Sequence, residues 1–348
     1  MTTKSPSTRM RAIFAAVAAM SLATLTACSS DGSEEEATDD AAPAATDTAD
    51  STTEPAETDD AMMEPVDVTV GLIPILDVAP IYLGVEQGFF EEEGLNLTLE
   101  LAQGGSFIIP SVSQGDYEFG FSNVTSLILA NATGVGLEAV GPGASTNGTE
   151  EDMAAVLTPA DSGISTAKDL EGKKVGVNAL ANVNTATISQ MVRDDGGDPS
   201  TITYVELPFP DIVPAILAGD IDAGQVVEPF RTAGVNQDLV SIGSNFLAMS
   251  PTFMIAEYFT SSDYAAENPE TVAGFEAALA KSFEYATDNP DEVRAIVLTY
   301  TRMDEETANA VRLPGWPSEI DAASVDLQAE LAVTDGTLTE VPDLTALK

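Results

Sequence analysis

Histidine is absent from all 348 residues, which removes the usual general base near neutral pH and the commonest metal ligand. Hydrolase and metalloenzyme readings that lean on imidazole fall with it. Cysteine occurs once, at Cys28, so no intramolecular disulfide can form and no thiol lies in the body of the chain for catalysis. Positive charge is scarce: 13 Lys and Arg stand against 57 Asp and Glu, a formal net charge of -44. Phosphate binding draws on Lys and Arg, so nucleic acid and anionic lipid are excluded as partners. Between Arg11 and Lys168 there is no basic residue at all, and this part of the chain offers no cation to a doubly charged anion. No Gly-x-Ser-x-Gly elbow occurs, nor a paired-acid motif in a recognisable context.

What is present begins with an N-terminal address. Lys4, Arg9 and Arg11 precede the apolar stretch Ala12 to Leu25, and Leu25-Thr26-Ala27-Cys28 follows. The stretch is shorter than the roughly 20 residues that span a bilayer. The tetrapeptide resembles a bacterial lipobox, which implies that residues 1–27 are a lipoprotein signal peptide and that Cys28 carries the lipid attachment. Several acyl chains together give durable anchoring. From Ser29 to Asp67 the chain holds 14 acidic residues and almost no large apolar one. Such a segment cannot bury enough surface to offset its chain entropy, so residues 28–66 read as a disordered acidic tether, kept extended by like charges.

Beyond Val66, short β-rich runs alternate with helical stretches, the pattern of an α/β fold. Strands are predicted over Val68–Ile73, Leu97–Ala102 and Tyr117–Ser122, with helices over Ala79–Gln87 and Phe107–Gln114. A similar series fills Val175–Val227, with helices near Thr185–Asp194 and Ile212–Ala218. The tail is mostly helical: Asn268–Ala286, Asp291–Thr299, Glu305–Val311 and Ser318–Ala332. The length exceeds one ordinary domain of roughly 100 to 200 residues, so two lobes are expected. One internal echo supports duplication. Pro110 to Gly120 resembles Pro214 to Gly224 at an offset of 104 residues, each reading as a helix, a Gly-Asp turn and a strand.

An ordered series of segments carries a family resemblance. It runs from Gly71-Leu72-Ile73-Pro74, Ala79-Pro80 and Glu86-Gln87-Gly88-Phe89-Phe90 through Gly115-Asp116 and Lys168-Asp169-Leu170-Glu171-Gly172-Lys173 to Gly219-Asp220 and Glu228-Pro229-Phe230. The series resembles the nitrate/sulfonate/taurine and thiamine-precursor family of periplasmic binding proteins, over roughly Val68 to Asn236. The resemblance implies a type II periplasmic-binding-protein fold, two α/β lobes joined by a two-crossover hinge. Lobe one is then 67–155 plus 252–348, and lobe two is 156–251. It further implies a monomer that serves an ABC permease, held by its lipid on the outer face of the cell membrane, with a small-molecule solute in the interlobe cleft. No cofactor and no metal are expected.

Candidate ligand-binding residues sit where strands end at the cleft. Leu76 and Asp77 follow the first strand; Asp77 either offers a carboxylate or caps the helix from Ala79. Gly104-Gly105-Ser106 opens another helix, whose N–H groups either bind a polar edge or are simply capped. Ser122 and Asn123 either face ligand or start the helix at Val124. Asn178, Asn184 and Thr185 lie between a strand and a helix, where capping alone selects the same residue types. Glu228 matches a family position near the ligand and reads otherwise as a surface turn before Pro229. Arg231 nearby is expected to point to solvent. Phe107 and Phe209 are placed to sandwich a flat ring, whereas Trp316, Phe283 and Tyr285 read as packing residues.

With so few cations, the preferred solute is neutral or amino-bearing, pyrimidine-like; sulfonate, taurine or nitrate is the alternative. Two rival classes stand beside an importer subunit: a tethered ligand sensor, and an enzyme. A yeast pyrimidine synthase resembles this fold but draws on histidine and metal, and this chain has no histidine. The general acidity reads as a solubility adaptation, in which salt stabilises the fold by screening.

Overall fold

The first strand shows how the sequence writes the fold. Val68 and Val70 of β1 (Val66–Leu72) are buried while Asp67 is exposed and Thr69 half-buried, the alternation that the pleat demands. In this computed structural model the described residues are 65–348. The expected signal peptide, Cys28 and nearly all of the acidic tether lie outside the described residues.

After β1 come α1 (Ala79–Glu86), α2 (Phe89–Glu92), β2 (Leu95–Leu101), α3 (Gly105–Ser113), β3 (Phe119–Asn123), α4 (Val124–Ala132) and β4 (Leu137–Pro142). The next stretch holds β5 (Ala154–Pro159), β6 (Lys174–Val177), α5 (Val183–Asp194), β7 (Thr203–Glu206), α6 (Phe209–Ala218), β8 (Ala223–Val227), α7 (Phe230–Val235) and β9 (Leu239–Ser241). The last holds β10 (Ala256–Ser261), α8 (Ser262–Glu267), α9 (Pro269–Asp288), α10 (Pro290–Tyr300), α11 (Glu305–Ala310) and α12 (Ala322–Thr334).

These strands form two five-stranded sheets, in the orders β2-β1-β3-β10-β4 and β7-β6-β8-β5-β9. In each, the first three strands run parallel and the fourth is antiparallel to both neighbours. The chain leaves the first sheet after β4, builds the second, and returns after β9. This is the two-crossover α/β arrangement that the sequence implies, with the sheets as the cores of two lobes. Fully buried Asp152 in the first crossover accepts from Asn147 N at 3.3 Å and from Ser244 Oγ at 2.6 Å, which ties the first crossover to the second.

The internal echo is an architectural repeat. Helices α3 and α6 begin at Gly105 and Phe209, strands β3 and β8 at Phe119 and Ala223, both 104 residues apart. Gly115 and Gly219 close the helices at φ of 76° and 75°, the left-handed region that suits glycine. The same helix presses on the same strand each time: a Cβ at Gly120 would come 2.5 Å from Ile108 Cγ2, and one at Gly224 2.3 Å from Ile212 Cγ2.

Helix α9 buries Phe275, Ala278, Leu279, Ser282, Phe283 and Ala286, a stripe at helical spacing that packs on α1. Helix α12 binds several parts of the body together. Gln328 accepts from Thr125 N at 3.1 Å and donates to Met254 O at 2.9 Å, while Arg193 of α5 pairs with Asp335 at the end of α12. This helix begins at Ala322, four residues later than expected, because Asp321 caps it by accepting from Ala323 N at 3.1 Å. No helix among the described residues is long and apolar enough to cross a membrane.

Candidate functional site

The carboxyl ends of β1, β3, β6 and β8 converge on one cleft of about 370 Å³, its open mouth included. The first lobe contributes Ile73, Ile75, Asp77, Phe121 and Asn123; the second contributes Asn178, Asn182, Val183, Asn184, Phe209 and Val227. Phe246 and Ile255 reach in from the returning crossover. Asp77 is the one ionisable residue in this lining, and no Lys or Arg reaches it.

Asp77 does not cap the helix that follows. It sits within a single 3₁₀ turn, Leu76–Val78, and the N-cap of α1 is Val78, which makes no side-chain bond. The side chain is buried, and Oδ1 has no hydrogen-bond partner. Burial pushes its pKa from 3.8 up to about 7, its own backbone N–H pulls the other way, and the Asp152 charge adds a smaller upward push. The backbone carbonyl is held by Trp316, whose Nε1 donates to it at 3.0 Å.

Across the cleft, Asn182 caps α5 and accepts from Asn184 N at 3.0 Å and Thr185 N at 3.3 Å. Its Nδ2 donates to Asn178 Oδ1 at 2.8 Å, and Asn184 Nδ2 donates to the same oxygen at 2.7 Å. Asn184 Oδ1 is left buried and without a partner. The lobes touch here: Val183 N donates to Asn123 Oδ1 at 3.4 Å. Asn123 also caps α4, accepting from Ser126 N at 3.0 Å, so capping and cleft lining coexist in one side chain. Phe209 stacks on Phe230 with ring centroids 6.1 Å apart.

Five of the ten candidate residues thus line the cleft: Asp77, Asn123, Asn178, Asn184 and Phe209. The other five lie elsewhere. Leu76 is buried on the α1 side with Leu83 and Val297. Phe107 is 55% exposed, because α3 turns Ile108, Ile109 and Val112 inward and leaves position 107 off that stripe. Ser122 points to the face of the sheet opposite Phe121 and Asn123, under Gly105, where its Oγ is buried without a partner. It lies directly opposite Glu257 of β10, whose two carboxylate oxygens are also unpartnered and whose pKa burial pushes well up. Thr185 completes the capping box of α5, its Oγ1 accepting from Asn182 N at 3.1 Å.

Glu228 is buried rather than a surface turn, and the protein's own donors occupy it. Thr232 Oγ1 donates to it at 2.8 Å, Thr232 N at 3.0 Å and Arg312 N at 3.2 Å, with Arg231 at 3.9 Å. Burial raises its pKa, and these donors oppose the rise. Arg231 is buried beside it instead of pointing to solvent. Phe283 packs in the core and Trp316 packs partly buried against it. Sequence reasoning missed Asn182, three residues ahead of the expected helix start at Thr185 and one ahead of the observed start at Val183, though an Asn three residues before Thr185 is a capping-box signal. It also missed Phe246 and Ile255, which no local motif marks.

The geometry can now be set beside known proteins. The family model described as NMT1/THI5 like matches residues 76–293. The chain belongs to this family. Among curated relatives of this NMT1/THI5-like chain, the formylaminopyrimidine-binding protein of Halalkalibacterium halodurans is 25% identical over 69% of the chain and 72% of the relative. The 4-amino-5-hydroxymethyl-2-methylpyrimidine phosphate synthase of Aspergillus parasiticus is 25% identical over 61% of the chain and 64% of its own length. Among solved structures, the alkanesulfonate-binding protein SsuA from Xanthomonas axonopodis pv. citri bound to MOPS superposes with a TM-score of 0.67. It is 16% identical and covers 81% of this chain and 96% of that one, which establishes the periplasmic-binding-protein fold for this family member.

Proposed function

We propose that this chain is the extracytoplasmic solute-binding subunit of an ABC importer, anchored by lipid on Cys28, and that it captures a neutral or amino-bearing, pyrimidine-like solute between its lobes. One observation carries the choice of solute. Asp77 Oδ1 and Asn184 Oδ1 are buried acceptors without partners on opposite walls of a cleft that is otherwise apolar or amide-lined and free of cations. A buried polar atom left unpaired costs about 1–3 kcal/mol; Asn184 Oδ1 can only accept, and so can the Asp77 carboxylate once ionised, so the missing partner is a donor on the solute. An amino-substituted ring supplies N–H groups at its edge, and Phe209, Phe121 and Phe246 supply apolar contact for its body.

The formylaminopyrimidine binder among the relatives points to the same solute class. A synthase among the relatives raises the enzymatic alternative, but this chain has no histidine to serve as a general base near neutral pH. The structural likeness to an alkanesulfonate binder favours a second reading, sulfonate capture, which would have to proceed without a cationic side chain in the cleft. In this proposal the lobes, 67–155 plus 252–348 and 156–251, close by the usual hinge motion and release the solute to a permease, with the monomer as the working unit.

Melting-temperature shifts test the reading, because bound solute raises stability by RT ln(1 + [L]/Kd). A formylaminopyrimidine and 4-aminopyrimidine are expected to raise the melting temperature, and taurine, MOPS and nitrate to leave it unchanged. Shifts with the sulfonates and none with the heterocycles would overturn the choice of solute.

A further inference from the structure

The donor side chains of the cleft are not free to turn. Asn182 Oδ1 accepts two backbone N–H groups, from Asn184 and Thr185, at 3.0 and 3.3 Å. A backbone N–H can only donate, so the orientation of this amide is fixed by the helix itself rather than by convention. Its Nδ2 must then face away from those groups, and it donates to Asn178 Oδ1 at 2.8 Å. That makes Asn178 present its oxygen on this side. Asn184, 2.7 Å from the same oxygen, must offer Nδ2 to it. The remaining atom, Asn184 Oδ1, is thereby left turned away from Asn178 as an acceptor, buried and unpaired, on a residue that lines the cleft.

We infer that Asn182 and Asn178 form a polarity relay that sets the hydrogen-bonding sense of Asn184: it makes this one side chain of the second lobe's wall an obligate acceptor, and at that position selects solutes that donate N–H over solutes that accept. The inference rests on the amino-solute reading above and adds to it the residues that enforce the preference. Asn182 is a positioning residue here, since it acts on the solute through Asn178 and Asn184. Without the relay, the Asn184 amide can rotate by half a turn and present Nδ2 instead, and the cleft loses its bias. With it, an acceptor on the solute meets Asn184 Oδ1 head on, two lone pairs with no proton between them.

Two ring probes that differ at position 4 test the inference: 4-aminopyrimidine, which donates there, and 4-methoxypyrimidine, which only accepts there, their ratio being compared between variants so that differences in size and basicity cancel. Affinities are measured by calorimetry on the wild type, Asn182→Asp and Asn178→Asp. Aspartate caps a helix as well as asparagine but carries no N–H to give. In Asn182→Asp the Asn178 amide is expected to turn its Nδ2 toward the new carboxylate, and Asn184 its Oδ1 toward Asn178 Nδ2. The preference for the amino probe then falls by about tenfold or more, or reverses, as one lost or gained hydrogen bond predicts. In Asn178→Asp the carboxylate still accepts from Asn182 and Asn184, so the preference for the amino probe persists whatever the absolute affinity.

An unchanged probe ratio in a folded Asn182→Asp overturns the relay, as does loss of the preference in Asn178→Asp; the second variant decides the matter alone if the first does not fold. Failure of the wild type to bind 4-aminopyrimidine or a formylaminopyrimidine is a different result: it removes the amino-solute reading itself.

Discussion

The two lobes share a scaffold and divide the chemistry. Strands β1 and β6 occupy the same place in their sheets, as do β3 and β8, and α3 and α6 press on them through Ile108 and Ile212. Yet after β1 the chain makes a 3₁₀ turn that buries one carboxyl among isoleucines, and after β6 it makes a loop of three interlocked asparagine amides. At the ends of the other pair, Ser122-Asn123 stands opposite Val226-Val227. Duplication preserved what holds the strands at their spacing and left the loops beyond them to diverge. The cleft lining is asymmetric because it is built from the parts that packing does not constrain.

The largest expected effect comes from the carboxyl that only one lobe possesses. Asp77 has an ordinary pKa of 3.8 in the unfolded chain and about 7 in the fold. The folded state therefore holds a proton that the unfolded state releases, and stability falls as pH rises from about 4 to about 7, then levels off. The difference amounts to as much as about 4 kcal/mol. Asp77→Asn is expected to flatten that part of the curve of melting temperature against pH relative to wild type. A slope of equal size in the variant would show that Asp77 does not titrate with folding.

A second substitution at Asp77 sharpens the functional comparison. An acceptor that binds a solute N–H is expected to contribute roughly 1.5–3 kcal/mol, so titration of Asp77→Leu with 4-aminopyrimidine should show affinity weakened roughly ten- to a hundredfold. The shared scaffold predicts the opposite, an equality. Gly120→Ala and Gly224→Ala each place a methyl within 2.5 Å of an isoleucine Cγ2, and each is expected to cost about 1–3 kcal/mol in urea unfolding. A large cost in one lobe and none in the other would break the repeat as a packing equivalence.

Much of this arrangement was legible in the sequence, and what was not has particular causes. The strand and helix series, the repeat at 104 residues and the helical stripe of α9 follow from local periodicity, which is a property of the segment itself. Phe107 was misjudged although the signal was present: Ile108, Ile109 and Val112 already define the inward stripe of α3, and position 107 falls outside it. Glu228 was legible only in part: Thr232, four residues on, supplies two of its donors, but the third is the backbone N–H of Arg312, 84 residues further on, which no local pattern marks. Asn123 and Asn182 were ambiguous by nature, since a capping asparagine at a cleft serves helix and cavity with the same atoms. The smallest expected effect concerns neither lobe in particular: with a net charge of -44, added salt is expected to raise the melting temperature modestly, as screening relieves carboxylate repulsion.

Helix α5 carries the asparagine loop at its first turn and Arg193, paired with Asp335, in its last. Twelve residues make a rod of about 18 Å, with a grip at the heel and a working toe. The toe is held as well, by Val183 N on Asn123 Oδ1, so any parting of the two lobes has to let go of this rod at both ends. Labels at the two ends of α5 would therefore report the loss of both grips together when the lobes part.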